Sequence, residues 1–202
     1  MSGAPAHLSF PHSKAAVWVA LLSLGSLVAV IVLTVAIVTD VGDMLTRNTI
    51  RLSLAWYAVA LLMMMRLNAA DWSAGSTSGR LARWCWSWAL VIFLIHVITA
   101  FHYYHHWSHT DAFQRTREIG GYGEGLYANY LFALVWTADV AFWWISPVRY
   151  SARSPWIDRI LHSFMLFMVF NSMVVFATGP IRWTGLVLFV SLAVVWYSSK
   201  RR

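Results

Sequence analysis

The sequence predicts an all-α integral membrane protein, built as a bundle of six transmembrane helices. Of its 202 residues, 59% are hydrophobic and only 11% are charged, whereas soluble domains average about 25% charged residues. Long apolar segments alternate with short charged connections, which is the pattern of a multi-pass membrane protein. We therefore expect a single polytopic membrane domain covering residues 1–202.

Each apolar segment is bounded by charged, Gly or Pro residues. The predicted helices cover residues 15–38, 50–66, 81–119, 126–146, 157–178 and 181–198. The first is longer than the apolar core of a signal peptide and lacks a following small-residue cleavage site, so we expect it to be retained. The second spans the bilayer only if its flanking arginines, Arg51 and Arg66, extend towards the headgroups. Pro147 and the Gly179-Pro180 pair end the fourth and fifth helices.

The third helix should reach beyond the bilayer. No Pro or Gly interrupts residues 81–119, and Gly120-Gly121 then provides a natural C-terminal cap. We expect its membrane part to end near residue 105 and the remainder to project on the outer face.

The distribution of charge predicts the orientation. Lys and Arg are concentrated on the side that holds the N-terminus, and this side is cytoplasmic by the positive-inside rule. Both termini should then be cytoplasmic, in a multi-pass protein of the inner (plasma) membrane. The net charge of +7 comes from scattered basic residues that form no continuous stripe, which argues against nucleic-acid binding. The lipid bilayer is the predicted partner, together with other membrane subunits.

Histidines at the outer end of the third helix are the strongest candidates for chemistry. On a continuous helix four of them fall within an arc of roughly 100°. His102 and His106, and likewise His105 and His109, are separated by three residues, which brings each pair close enough to bind one metal ion. Carboxylates predicted on the same side of the membrane are suitable further ligands. The predicted metal site comprises His102, His105, His106, His109, Asp40, Asp43, Glu118 and Glu124. The expected ion is a divalent metal: Zn, Fe or Cu.

Two other interpretations of these histidines are open. A helix end rich in His, Tyr and Trp also matches the headgroup zone without binding a metal. Histidines that titrate between about pH 5 and 8 can alternatively relay protons or sense pH. The spacing of His102, His105 and His106 resembles the HxxHH box of membrane fatty-acid desaturases and hydroxylases. Those enzymes gather histidines from several boxes facing the cytosol, whereas this chain has one box facing outward, and we do not assign it to that family.

One pair of polar side chains, Asp139 and His162, is predicted to meet inside the membrane. A carboxylate there needs a partner or a cavity, and His162 on the fifth helix lies within roughly one turn of the depth of Asp139. We expect them to pair. A haem bound within one chain is not expected, because His96 and His162 differ in depth by about 9 Å.

The sequence thus predicts an inner-membrane protein with a His-rich metal-binding site on its periplasmic face, acting in redox chemistry or metal handling. The alternative is a non-catalytic accessory subunit of a larger membrane complex, in which the histidines are only interfacial. Transport is less favoured, because the chain has no internal repeat. No catalytic residue is identified, and whether the protein is an enzyme stays open.

Overall fold

The computed structural model describes residues 14–68, 70–72 and 76–199, and within these ranges the chain is helical, without β-strands. The helices are α1 Lys14–Ile37, α2 Val41–Met64, α3 Thr77–Tyr103, α4 His109–Gly120, α5 Gly125–Ile145, α6 Pro147–Ser151, α7 Pro155–Phe170 and α8 Pro180–Ser199. A π-helical turn, Asn171–Val175, continues α7. The predictions for the two chain termini concern residues outside these ranges.

Among the residues that the structure describes, five helices are long and apolar enough to cross a membrane: α1, α3, α5, α7 with its π-helical turn, and α8. The protein is therefore an all-α, multi-pass membrane protein whose apolar helices contact the lipid bilayer. Helix α2 is not one of the five, and its first three turns carry Asp43, Arg47 and Arg51. The predicted count of six spans is not confirmed.

Helix α2 nevertheless runs antiparallel to α3 along its length. At one end Gly42 faces the ring of Tyr103, so closely that an added Cβ would lie 2.6 Å from that ring. At the other end Met63 Sδ lies 3.8 Å from Cys85 Sγ. Between them the buried hydroxyl of Ser53 donates a hydrogen bond to the carbonyl oxygen of Ala89 on α3 at 2.8 Å. Small residues at the interface permit this close approach.

The bundle has two ends. The α4 end holds α4 and the α1–α2 connection, and the α6 end holds α6 and the start of α7. Pro147 and Pro180 begin new helices, and Gly179 precedes the latter with a φ of 60°. These breaks agree with the helix ends predicted at Pro and Gly.

The structure does not confirm the extended third helix. Helix α3 ends at Tyr103, and His106 and Trp107 then adopt left-handed conformations with φ values of 47° and 61°. Ser108 starts α4 by accepting a hydrogen bond from the backbone of Asp111 at 3.1 Å. Because non-glycine residues rarely adopt a positive φ, a scan for Pro and Gly cannot detect this break.

Aromatic rings form the centre of the bundle. Tyr57 of α2, Trp86 of α3 and Trp136 of α5 lie with ring centroids 5.0–5.6 Å apart, and all three are 2% exposed or less. Phe93 and Phe132 extend this cluster towards the α4 end. These rings fix the spacing of α2, α3 and α5.

Candidate functional site

The four histidines predicted to share one face are distributed over two helices and the turn between them. His102 lies in the last turn of α3 with its ring 4.7 Å from that of Tyr103, and His106 is exposed in the turn that follows. His109 begins α4 and places Nδ1 3.1 Å from the hydroxyl of Tyr130. Their common face required a continuous helix, which the turn interrupts.

His105 differs from the other three because it is half-buried against the ring of Phe101, with centroids 5.4 Å apart. Its buried Nδ1 has no hydrogen-bond partner among the described residues. Desolvation lowers the pKa of His105 below its ordinary value, although the charge of Asp111 acts in the opposite direction. This imidazole is consequently biased towards its neutral form.

Two of the predicted carboxylate ligands, Asp40 and Asp43, accept hydrogen bonds from neighbouring protein groups. Asp40 caps α2 by accepting the backbone N–H of Asp43 at 3.1 Å. Asp43 accepts a hydrogen bond from Arg47 Nε at 2.8 Å and another from the hydroxyl of Tyr104. This chain of contacts joins the start of α2 to the end of α3.

The other two predicted carboxylates lie on the exposed surface. Glu118 pairs with Arg115 at 3.2 Å along α4, and Glu124 precedes α5 without capping it through its side chain. Across residues 14–68, 70–72 and 76–199, no three His, Cys, Asp or Glu side chains are arranged to hold a metal ion. Metal binding therefore stays a prediction that the geometry does not support.

The structure contains a cavity that the sequence did not predict. Lined by α2, α3, α4, α5 and α7, together with His105 and the π-helical turn, it has a volume of about 320 Å³, within the range of small-molecule sites. We call it the inner cavity. It extends from His105 at the α4 end to Tyr57 and Trp136, and Trp136 lies about 16 Å along α5 from its start. The site is thus a deep pocket that extends from the α4 end towards the aromatic centre of the bundle.

Three buried polar atoms belong to side chains that line this inner cavity. They are the hydroxyl of Tyr57, Nε1 of Trp136 and Nδ1 of His105, and none has a hydrogen-bond partner within the described part of the chain. Tyr57 is 0% exposed and Trp136 is 2% exposed. Buried polar groups in proteins are nearly always hydrogen-bonded, so such a cluster calls for an explanation.

A second, wider depression adjoins the inner cavity. This outer groove, of about 530 Å³, lies between α4, α5 and the π-helical turn, and shares Thr116, Asn129, Met168 and Ser172 with the inner cavity. Its rim includes the exposed apolar side chains of Ile119 and Phe167. Because π-helical turns often occur at functional sites, the position of Asn171–Val175 beside the groove is relevant to its use.

Neither the inner cavity nor the outer groove is lined by an Asp, Glu, Lys or Arg residue. Among the described residues, His96 is the second imidazole in the inner cavity besides His105, and its Nδ1 lies 2.9 Å from the carbonyl oxygen of Thr46. Since a carbonyl oxygen only accepts, Nδ1 carries the hydrogen and Nε2 is left as an acceptor in the neutral ring. The cavity therefore offers neutral donors and acceptors.

At the α6 end, the structure pairs Asp139 with Arg153. Arg153 donates to Asp139 at 2.5 Å, while Trp86 Nε1 and the hydroxyl of Tyr150 donate to the same carboxylate at 2.9 and 3.2 Å. Arg153 also forms an ion pair with Asp158. These contacts satisfy a carboxylate that is costly to bury alone.

The predicted partner, His162, does not hydrogen-bond to Asp139. Its ring lies 5.9 Å from that of Trp86, and its buried Nδ1 has no partner among the residues described. Matching depth along neighbouring helices predicted His162, which lies nearby. It could not predict Arg153, which lies in the α6–α7 connection. A basic residue just outside a span can extend back into it, and that was the available signal.

Comparison with protein-family models, curated proteins and solved structures found no match to this chain. The class of protein that the fold defines is a multi-pass, all-α membrane protein.

Proposed function

We propose that this protein binds a neutral, lipid-soluble small molecule in the inner cavity. The observation that carries the proposal is the set of unpartnered buried polar atoms on Tyr57, Trp136 and His105, all in side chains that line one cavity. Leaving a buried donor unsatisfied costs about 1–3 kcal/mol. A ligand with a polar group at the deep end of the cavity supplies the hydrogen bonds that Tyr57 and Trp136 lack, and His105 is available to a polar group at the α4 end.

The lining determines the kind of ligand. An ion is costly to bury without an opposite charge or a set of metal ligands, and the described cavity walls carry no Asp, Glu, Lys or Arg side chain and no group of three metal-ligating side chains. Aromatic and aliphatic residues provide most of the surface. The ligand reaches the cavity through the outer groove, whose exposed apolar rim at Ile119 and Phe167 faces the surroundings of the bundle.

A variant that fills the cavity tests this function. Ala133 lines the inner cavity on α5, whereas Ala138 is exposed on the same helix. We expect Ala133→Phe to abolish retention of a neutral molecule supplied as a lipid extract, and Ala138→Phe to retain it. Extraction of the purified full chain followed by mass spectrometry measures the bound molecule. Equal retention, or none, in wild type and both variants contradicts the proposal.

We also propose that α2 is a sixth membrane span. In this proposal the protein lies in the inner membrane, and its α6 end faces the cytoplasm. Support comes from the antiparallel packing of α2 along α3 and from the excess of Lys and Arg at the α6 end. Cys85 is buried, so a cysteine introduced at exposed Thr110 reports accessibility by itself. Labelling of Thr110→Cys by an impermeant reagent from the cytoplasmic side alone contradicts this orientation.

The metal site and the accessory-subunit alternative remain predictions from the sequence. The metal hypothesis predicts stoichiometric metal in the purified protein and its loss when His102 and His106 are both changed to Ala. Elemental mass spectrometry measures this, and a metal-free wild type at neutral pH ends the hypothesis. Stable co-purifying membrane subunits without metal favour the accessory role.

A further inference from the structure

We propose that the ligand of the inner cavity is a quinone or a closely related neutral ring carbonyl compound. Its ring lies at the deep end beside Tyr57 and Trp136, and its hydrocarbon tail leaves through the outer groove. This inference rests on the proposed function and adds to it the chemical class of the ligand.

The hydrogen-bonding groups at the deep end call for an acceptor. An indole N–H such as that of Trp136 only donates, and the hydroxyl of Tyr57 donates as readily as it accepts. Neither atom has a partner within the described chain. Both atoms are covered in the ligand-free structure, so a carbonyl oxygen that enters between them displaces the groups packed over them and receives both hydrogen bonds, whereas the end of a hydrocarbon chain leaves both donors unsatisfied.

The walls at the same depth favour a planar ring. Tyr57, Phe93, Phe132 and Trp136 all line the cavity, and the contacts between neighbouring rings have centroid separations of 5.2–5.6 Å. Aromatic side chains pack well against further rings in offset or edge-on arrangements. A flat unsaturated ring gains these contacts, which a flexible chain uses less well.

His96 extends the site to the reduced form of such a ring. Because its Nδ1 donates to the carbonyl oxygen of Thr46, Nε2 is the acceptor of the neutral imidazole. A ring hydroxyl can donate to this acceptor, and a ring carbonyl can accept from Tyr57. The cavity lining thus contains complementary groups for both a quinone and a hydroquinone.

Continuity between the two depressions accounts for the tail. The inner cavity and the outer groove share wall residues on α4, α5, α7 and the π-helical turn, and the outer groove is apolar at its rim. A hydrocarbon tail attached to the ring can therefore follow an uncharged path from the deep end to lipid. A free polar ring compound of the same size makes no use of this path.

Calorimetric titration of the full chain in lipid nanodiscs tests the inference with two probes, decyl-benzoquinone and 1-decanol. The probes share the tail but differ in the ring and its carbonyl oxygens. We expect saturable binding of the quinone, with decanol at least about tenfold weaker, since it lacks the ring contacts and one acceptor. The cavity-filled variant Ala133→Phe should bind neither probe above the background of empty nanodiscs.

The matched variants are Tyr57→Phe, in the cavity, and Tyr127→Phe, exposed on α5 outside both depressions. We expect Tyr57→Phe to weaken quinone binding about threefold to tenfold, as loss of one hydrogen bond predicts, and Tyr127→Phe to change it less than about twofold. A melting curve of ligand-free Tyr57→Phe verifies its folding.

The outcomes separate the two proposals. Equal affinity for the quinone and for decanol, or unchanged quinone binding by folded Tyr57→Phe, overturns the quinone class and leaves a ligand site in place. Binding of both probes that Ala133→Phe leaves unchanged overturns the cavity as the site, and with it both proposals. If the wild type does not bind the quinone but retains another neutral molecule that Ala133→Phe does not retain, the quinone class alone is overturned.

Discussion

The guanidinium of Arg153 contacts the carboxylate of Asp139 at 2.5 Å, with side-chain exposures of 6% and 0%. This buried pair connects α5 to the segment between α6 and α7, beside the stacked rings of Trp143 on α5 and Tyr150 on α6. The guanidinium also lies 3.8 Å above the ring of Tyr150, so both its edge and its face are occupied. The pair is therefore central to the packing of the α6 end.

Changing Asp139 to Asn should strongly destabilise the protein. Breaking a buried ion pair costs about 3–5 kcal/mol, and we expect the lower part of this range because Arg153 keeps Asp158 as a partner. Thermal unfolding in detergent measures the change. Asp158→Asn is the control, and it should cost less than about 1 kcal/mol because that carboxylate is 45% exposed. Similar losses in both variants would show that the pair is not dominant.

Tyr57→Phe should leave the stability of the ligand-free protein unchanged or slightly raised. The hydroxyl is buried without a partner in the described chain, so its removal takes away an unsatisfied group and keeps the ring packing. Ser53→Ala, one turn away on α2, should instead cost about 1 kcal/mol because it loses the hydrogen bond to α3. Denaturation curves compare the two. A marked loss in Tyr57→Phe alone would reveal a protein contact for this hydroxyl.

Gly123→Ala should loosen the docking of α4 on α5. An added Cβ would lie 2.2 Å from Cε1 of Phe113, so the ring must move, at a cost of about 1–3 kcal/mol. Gly25→Ala is the matched control, because nothing lies within 4 Å of its Cβ and Ala is favoured in a helix interior. Limited proteolysis around α4 should quicken in the first variant only. Equal rates of cleavage in both variants would contradict the close contact between Gly123 and Phe113.

Acid should destabilise the α4 end through His105. Since its pKa is lowered by desolvation in the folded protein, the unfolded chain binds more protons below about pH 6.5, and stability falls as the pH decreases. The wild type should therefore lose more melting temperature than His105→Gln between about pH 7 and 5. All other ionisable groups are the same in the two proteins, so their contributions cancel in the comparison. Parallel losses would exclude His105 as the group responsible.

Several helix boundaries could be predicted because they depend on local chemistry. Pro147 lacks an amide hydrogen, and Gly179 tolerates a positive φ, so both breaks are visible in the sequence. Gly121 ends α4 with a φ of 83°, also as predicted. The turn at His106 was missed because the left-handed residues there are not glycines. The predicted metal site depended on a helix that continues through this position, and the turn interrupts that helix.

The sequence by itself determined the class of the protein, since apolar runs of membrane length can satisfy their backbone hydrogen bonds in lipid only as helices. Only the tertiary structure decided which side chains meet. Trp86 and Asp139 are 53 residues apart in the chain, and among the described residues the inner cavity takes its walls from five helices. Such meetings depend on how helices rotate and approach one another in the bundle, and helix periodicity alone does not specify either quantity.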